Sequence, residues 1–431
     1  MQGPDDNYIS LDQLRIGLYV YLDLKWFEHP FAFNNFKIKD EEQIRVIKTL
    51  GLKKVRYDPA RSDAKPSPSS AKAEPKASAE EVTPPVEAKE HPALAAKRAL
   101  IEKIKLQREA AARIEGAFVD TAKTIHNVEK NLLKHPEETV EQANKLVDQI
   151  ADSILSAPEL AIHVMGDRIG GEELYFHSLN VTMLSLMMAR DIKMPPEAIN
   201  ALGMGALFHD VGCREIPKKI LMKTEPLTQS ERNFYELHCQ YGYEIGRDLK
   251  FSPATLGVIR EHHEFYDGTG YPQKLKGESI SLLARIVAIA NHYDEMCNPT
   301  NLANALTPHE ALANMFAKLR NRFDPKLLQV FVRCLGVYPP GTIVQLSNGA
   351  IGMVATINTA KPMKPMIVVY DASVPKDEAI LVDLETEADV NIAKAIRPAQ
   401  LPREIYNYLS PRKQVSYYFD ASSPTKESGK A

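Results

Sequence analysis

The stretch HHEFYDGTGYP, His262–Pro272, decides how this chain is read. Two adjacent histidines and a glutamate end a helix-patterned segment and run straight into a glycine turn. Upstream, ALGMGALFHD (Ala201–Asp210) is an apolar helical pattern that ends on His209-Asp210. NFYELHCQYG (Asn233–Gly242) carries His238 inside another, and GGEELYFHS (Gly170–Ser178) carries His177. Glu173 precedes His177 by four residues, so the two share one helix face. A single histidine on an apolar face is more often a hydrogen-bonded core residue than a ligand. Five of them, with an aspartate adjacent to one and a glutamate one turn from another, form a different pattern. Neutral imidazoles and carboxylates are the donors that divalent transition metals take. A shared aspartate can bridge two ions at two-metal spacing, and helix bundles build such sites from inward side chains on facing helices. The residues alone therefore point to a di-metal hydrolase site.

Working outward, helical patterns at 173–190, 196–209, 228–247, 252–264, 280–297 and 308–320 join one that starts at Pro136, with Glu137 and Glu138 in its first turn. The fold class expected is mainly α: an all-α domain over 136–337, preceded by a small α+β domain and followed by a small β unit. In the N-terminal domain (1–60), Leu18–Leu24 and Leu52–Asp58 read as strands around a helix capped by Asp40 and stopped by Gly51. Trp26, Phe27, Phe31, Phe33 and Phe36 read as its core. Six of the 29 prolines fall between Pro66 and Pro92. The segment 61–93 has almost no large apolar side chain, so it reads as a disordered linker. A Lys/Arg/Glu/Ala-rich connecting helix follows over 94–135 and suggests a homodimer. At the other end, Thr342–Ile357 alternates around Asn348-Gly349, a hairpin signal. Met366–Tyr370 and Ala379–Leu384 add strands to a unit spanning 338–410, before a flexible tail at 411–431.

Composition sets the outer limits. The chain has 431 residues, 53 Lys+Arg against 56 Asp+Glu, and a formal net charge of −3. That balance argues against DNA or RNA as a partner. No long apolar run predicts a membrane span, MQGPDDNYIS lacks an apolar core so no signal peptide is expected, and with Gln2 in place of glycine no myristoylation is expected. The four cysteines form no CxxC pair, which fits reduced thiols in a cytoplasmic protein.

HHEFYDGTGYP with the upstream HD pair resembles the HD-GYP domain, a bacterial branch of the HD metal-dependent phosphohydrolases. Pro217-x-x-Ile220-Leu221, Leu227-Thr228 and Phe323-Asp324-Pro325 extend the resemblance across about 150–335. Residues 7–59 also resemble the small uncharacterised domain often found ahead of it. The resemblance implies a phosphodiesterase acting on cyclic di-GMP, a bacterial second messenger. It implies two or three divalent metal ions, iron or manganese, held by Glu173, His177, His209, Asp210, His238, His262 and His263. Asp210 would bridge the ions, and His209 and Asp210 would be the catalytic pair. Asp267, Gly268, Gly270, Tyr271 and Pro272 would shape the substrate edge and a partner surface.

The chain departs from the family at three places. Cys213 stands where a lysine follows the HD pair, and reads instead as a small buried hydrophobe. Asn291 stands at a metal-binding aspartate, and a neutral amide is the weaker ligand for a hard cation. His292 and Asp294 point roughly 100° and 300° away from it on a helix and cannot simply replace it. The stretch NPTNLANAL (Asn298–Leu306) holds no Arg or Lys where the family places phosphate-binding cations. These departures predict reduced activity. The alternatives are an inactive module that binds a nucleotide or a partner protein, and a hydrolase of another phosphate ester.

Overall fold

A computed structural model describes residues 7–68 except 25–27 and 32, scattered residues of 121–129, and 130–156. It further describes 173–409, except 359–360, 373, 377–378 and 388. The predicted tail, most of the linker and connecting helix, and Trp26 and Phe27 lie outside the described residues.

In the N-terminal unit, strands β1 (Tyr8–Ser10), β2 (Tyr19–Tyr21), β3 (Asn35–Lys37) and β4 (Lys54–Asp58) form one sheet in the order β1-β4-β2-β3. The pairs β1–β4, β2–β4 and β2–β3 are antiparallel. Helix α1 (Glu41–Thr49) starts where Asp40 accepts the Gln43 amide at 2.8 Å, and Gly51 follows at φ 74°. Leu18, Val20, Ile38, Ile44, Ile47 and Val55 make its core, and Phe31 and Phe36 pack only at the edge of it. The strands are shorter than alternation predicts, and β1 and β3, three residues each, carried no signal of their own. Residues 61–67, read from composition as linker, are tied to this sheet. Asp63 N donates to Gly17 O at 2.9 Å, Ser67 N to Gln13 O at 3.0 Å, and the Arg61 guanidinium lies 3.8 Å from the Tyr19 ring centre.

The helical unit runs through α2 (Pro136–Ser156), α3 (Glu173–Asp191), α4 (Pro196–Leu207), α5 (Lys218–Leu221), α6 (Gln229–Tyr235), α7 (His238–Asp248), α8 (Pro253–Glu261), α9 (Leu282–Cys297), α10 (Pro308–Ala317) and α11 (Pro325–Leu335). Helix α3 is the hub. It packs on α2, α4, α9 and α11, and Val181, Leu184, Met187 and Met188 bury its successive faces. The single helix expected at 228–247 is two. The Thr228 capping box starts α6, and Glu236 and Leu237 separate it from α7, which begins on His238 itself. No described helix is long and apolar enough to cross a membrane.

The C-terminal unit is a five-stranded antiparallel sheet, order β8-β7-β6-β5-β9, from β5 (Ile343–Leu346), β6 (Ile351–Thr356), β7 (Met366–Val369), β8 (Ile380–Asp383) and β9 (Ile392–Ile396). The Asn348-Gly349 turn joins β5 to β6 as predicted, with Gly349 at φ 87°. A short helix, α12 (Arg403–Leu409), follows.

Candidate metal centre

Helix ends position the histidines. His209 follows the end of α4, His262 follows α8, and His238 opens α7 after the two-residue break from α6. Carbonyls at helix ends lack intrahelical partners, and each of these rings uses one. His209 Nδ1 meets Ala206 O at 2.7 Å, His238 Nδ1 meets Tyr235 O at 2.7 Å, and His262 Nδ1 meets Ile259 O at 2.9 Å. A carbonyl can only accept, so each Nδ1 carries the proton and each Nε2 keeps a lone pair. His177 sits mid-helix in α3 and has no free carbonyl. Its Nδ1 instead lies 2.7 Å from Oδ2 of Asp294, a fully buried residue of α9.

The four Nε2 atoms converge in two pairs. His177 and His209 are 3.2 Å apart, as are His238 and His262. Asp210 lies between the pairs and offers one oxygen to each. Its Oδ2 is 3.5 Å from His209 Nε2 and 3.9 Å from His177 Nε2. Its Oδ1 is 3.4 Å from His238 Nε2 and 3.7 Å from His262 Nε2, and is buried with no hydrogen-bond partner. Two donor groups result: Asp210, His238, His262 and His263, and His177, His209 and Asp210, with ligand atoms in each within 4.8 Å of one another. In the His238–His262 pair, lone pairs aimed at one another across 3.2 Å repel, and the orphaned Asp210 carboxylate oxygen is costly to bury. A divalent cation in each group satisfies both, so the residues present fit a metal site.

The electrostatics agree for most ligands. Burial pushes His209 down to about 3, only partly opposed by Asp210, and also lowers His238 and His263. These rings are neutral at pH 7 and ready to ligate. His177 goes the other way. Burial lowers it, but the hydrogen bond and charge of Asp294 outweigh that and carry it up to about 9. This Asp–His pairing is the arrangement that orients metal-bound histidines elsewhere.

Glu173 opens α3 one turn before His177, as expected, but its side chain lies outside the described residues. Asn291 is buried on α9, with Nδ2 donating to Glu295 Oε1 at 3.2 Å and Oδ1 buried without a partner. His292 belongs to neither donor group; it packs with Phe265 and Phe323. Asp294 was passed over as a substitute ligand, yet it orients His177 and also accepts from Asn180 and Asn298. Cys213 is half-buried rather than buried.

The loop after His263 is held from inside. Asp267 Oδ1 accepts from Thr269 N and Oγ1 at 2.9 and 2.6 Å. Glu264 accepts from Gln273 N and Leu275 N at 2.6 and 2.9 Å. The Tyr271 ring stacks on His263 with centres 4.6 Å apart. The two glycines serve different needs. Gly268 has φ 83°. Gly270 has no positive φ, but a Cβ there would come within 2.4 Å of His263 O and 2.3 Å of Phe265 N.

A family model described as an HD domain matches residues 127–327. That segment matches the HD domain. A domain of unknown function, DUF3391, matches residues 8–143 ahead of the HD domain, and a KOW domain associated with HD domains matches 343–404 behind it. The DUF3391 match thus runs through the segment that composition reads as linker and connecting helix. The chain is 28% identical over 433 residues to a cyclic di-GMP phosphodiesterase of Pseudomonas aeruginosa, covering 96% of this chain and 98% of that protein. It is 35% identical to a cyclic di-GMP phosphodiesterase response regulator of Xanthomonas campestris over 34% of this chain and 39% of that one. A 3'3'-cGAMP-specific phosphodiesterase of Vibrio cholerae is 29% identical over 38% of this chain and 35% of its own length.

Proposed function

We propose that this chain is a metal-dependent phosphodiesterase that hydrolyses cyclic di-GMP. The observation that carries the reading is Asp210, with one oxygen facing each pair of histidine Nε2 atoms. His238, His262, His263 and Asp210 would hold one ion, and His177, His209 and Asp210 the other, with iron or manganese as the metal and Glu173 as a further ligand. When bound, such ions supply a hydroxide nucleophile at neutral pH and neutralise charge on the phosphate. The chain's own residues do the positioning. The carbonyls of Ala206, Tyr235 and Ile259 and the carboxylate of Asp294 fix which ring nitrogen faces the site. Gly268, Gly270, Tyr271 and Pro272 form the substrate edge, and the same loop is the proposed surface for a signalling partner. Asp267 acts there by folding the loop, because its carboxylate oxygen serves Thr269.

The rate is lowered relative to fully equipped relatives. Cys213 and the segment Asn298–Leu306 offer no fixed positive charge to a phosphate, and Asn291 offers no anionic ligand. The domain scheme that goes with this reading is a small α+β unit at 1–60, extended by residues 61–67, the catalytic domain at 136–337 and a β unit at 338–410.

The test is turnover by the full chain, purified without oxygen and loaded with manganese or iron. Cyclic di-GMP and 3'3'-cGAMP are followed by chromatography. Cyclic di-GMP should be consumed, and His209→Ala or Asp210→Ala should abolish its consumption. A metal-loaded chain that leaves it intact refutes the reading, and preference for 3'3'-cGAMP would reassign the substrate.

A further inference from the structure

Four of the five histidines in the cluster have an acceptor behind Nδ1 that fixes the ring. His263 has none among the described residues. Metal-binding imidazoles are oriented by what holds their other nitrogen; without such a partner, only packing can set the ring. At His263 that packing is aromatic. The Tyr271 ring stacks on it with centres 4.6 Å apart and planes at 25°, a favourable separation. The same ring stands edge-on to His238, at 6.2 Å and 83°. Both imidazoles belong to the donor group of Asp210, His238, His262 and His263. Tyr271 is itself held at the root of its loop. Its amide donates to His263 O at 3.2 Å, and a Cβ on the preceding Gly270 would sit 2.6 Å from Glu264 Cα. Just beyond Pro272, Gln273 N donates to Glu264 Oε1 at 2.6 Å and Leu275 N to Oε2 at 2.9 Å. Glu264 is 1% exposed, and these main-chain amides engage both of its oxygens. This carboxylate beside two ligand histidines therefore latches the loop, and neither donor group includes it.

We propose that Tyr271 is a positioning residue for the metal site: its ring, latched in place through Glu264, sets the plane of the His263 imidazole. Stacking does for His263 what a carbonyl or carboxylate does for the other four rings. The loop thus acts on the metal centre through a ring face, separately from any contact it makes with a substrate. This inference rests on the proposed metal-dependent function and assigns that site two supporting residues.

The test reads metal binding directly and separates the ring from its hydroxyl. The full chain is stripped with chelator and titrated with manganese; free Mn(II) is followed by electron paramagnetic resonance and bound metal is measured after desalting. Circular dichroism checks that each variant folds. Tyr271→Phe keeps the stacked ring and should bind manganese as the unaltered chain does. Tyr271→Leu fills the space without a ring. It should lose about one manganese per chain, or bind its weakest manganese roughly 10–100-fold less tightly. Glu264→Gln sets an amide NH2 against a main-chain N–H and should weaken the same manganese. Both changes act through one ring, so the double variant should bind no worse than the poorer single one. If Glu264→Gln does not fold, the two Tyr271 variants still decide. A Tyr271→Leu chain with unaltered stoichiometry and affinity overturns the inference and leaves the metal site standing. So does a Tyr271→Phe chain that loses as much as Tyr271→Leu, and fully additive losses overturn the Glu264 latch. An unaltered chain that binds no manganese overturns both the inference and the metal site.

Discussion

The sharpest structural constraint beside the cluster is a backbone crossing at Gly212. This residue lies two positions after Asp210, in a short 3-10 turn over Val211–Glu215 that packs on the start of α7. A Cβ at 212 would come 2.0 Å from His238 O, 2.4 Å from Gly242 N and 3.0 Å from Gly242 Cα. All three are main-chain atoms, so no side chain can turn aside. With non-bonded heavy atoms settling near about 3.5 Å, Gly212→Ala forces the turn and α7 apart by about 1 Å or more. The displaced elements carry Asp210 and His238, now 3.4 Å apart, whereas metal–ligand distances tolerate only about 0.2 Å. Overpacking of this kind costs about 1–3 kcal/mol, which lowers Tm by roughly 2–12 °C for a domain of this size. Gly257→Ala is the control: its Cβ would meet only Ser281 Oγ, at 3.7 Å. Within α8 that change should be neutral or stabilise by up to about 1 kcal/mol. Thermal melts with and without manganese, together with bound-metal analysis, decide the matter. A Gly212→Ala chain with unchanged Tm and metal content would refute the argument that this crossing sets the Asp210–His238 geometry.

Two further outcomes are expected. Asp294→Asn keeps the shape but removes the anionic acceptor of His177 Nδ1, so manganese affinity should fall about 10–100-fold; an unchanged titration would mean that Asp294 does not orient the ring. In thiol labelling of the native chain at pH 8, Cys213 should react first. Cys334, pushed up to about 12 by burial, and Cys239 and Cys297, also raised by burial, should wait for denaturant; early labelling of all four would contradict the packed core.

Much of the site was legible in sequence because its members are chemically rare and locally patterned. His209-Asp210, His238 and His262-His263 stood out against apolar helices, and they do come together. The helical class and the Asn348-Gly349 hairpin were legible for the same local reasons. What was hidden depends on tertiary contact. Asp294 looked like a misdirected ligand because helix geometry points it away from Asn291; nothing local says that it meets His177, 117 residues earlier. The break at Glu236-Leu237 was masked by continuous helical composition, yet it places His238 on the first turn of α7. At Gly270 the sequence shows only a glycine turn; the steric requirement there comes from the backbone of His263 and Phe265. The short strands β1 and β3 draw their stability from pairing with β4 and β2, which three residues of alternation cannot announce.

The carbonyl acceptors behind His209, His238 and His262 have a consequence for how this protein tolerates change over time. The tautomers of these three imidazoles depend on main-chain oxygens at Ala206, Tyr235 and Ile259. No codon change at those positions can delete a carbonyl; only a helix that ends elsewhere could withdraw it. His177 depends on a side chain, so one nucleotide substitution at Asp294 can remove its acceptor. Lineages of this protein should therefore drift freely in side-chain identity at 206, 235 and 259 while they keep helix ends in register, and the His177–Asp294 pair should change only together.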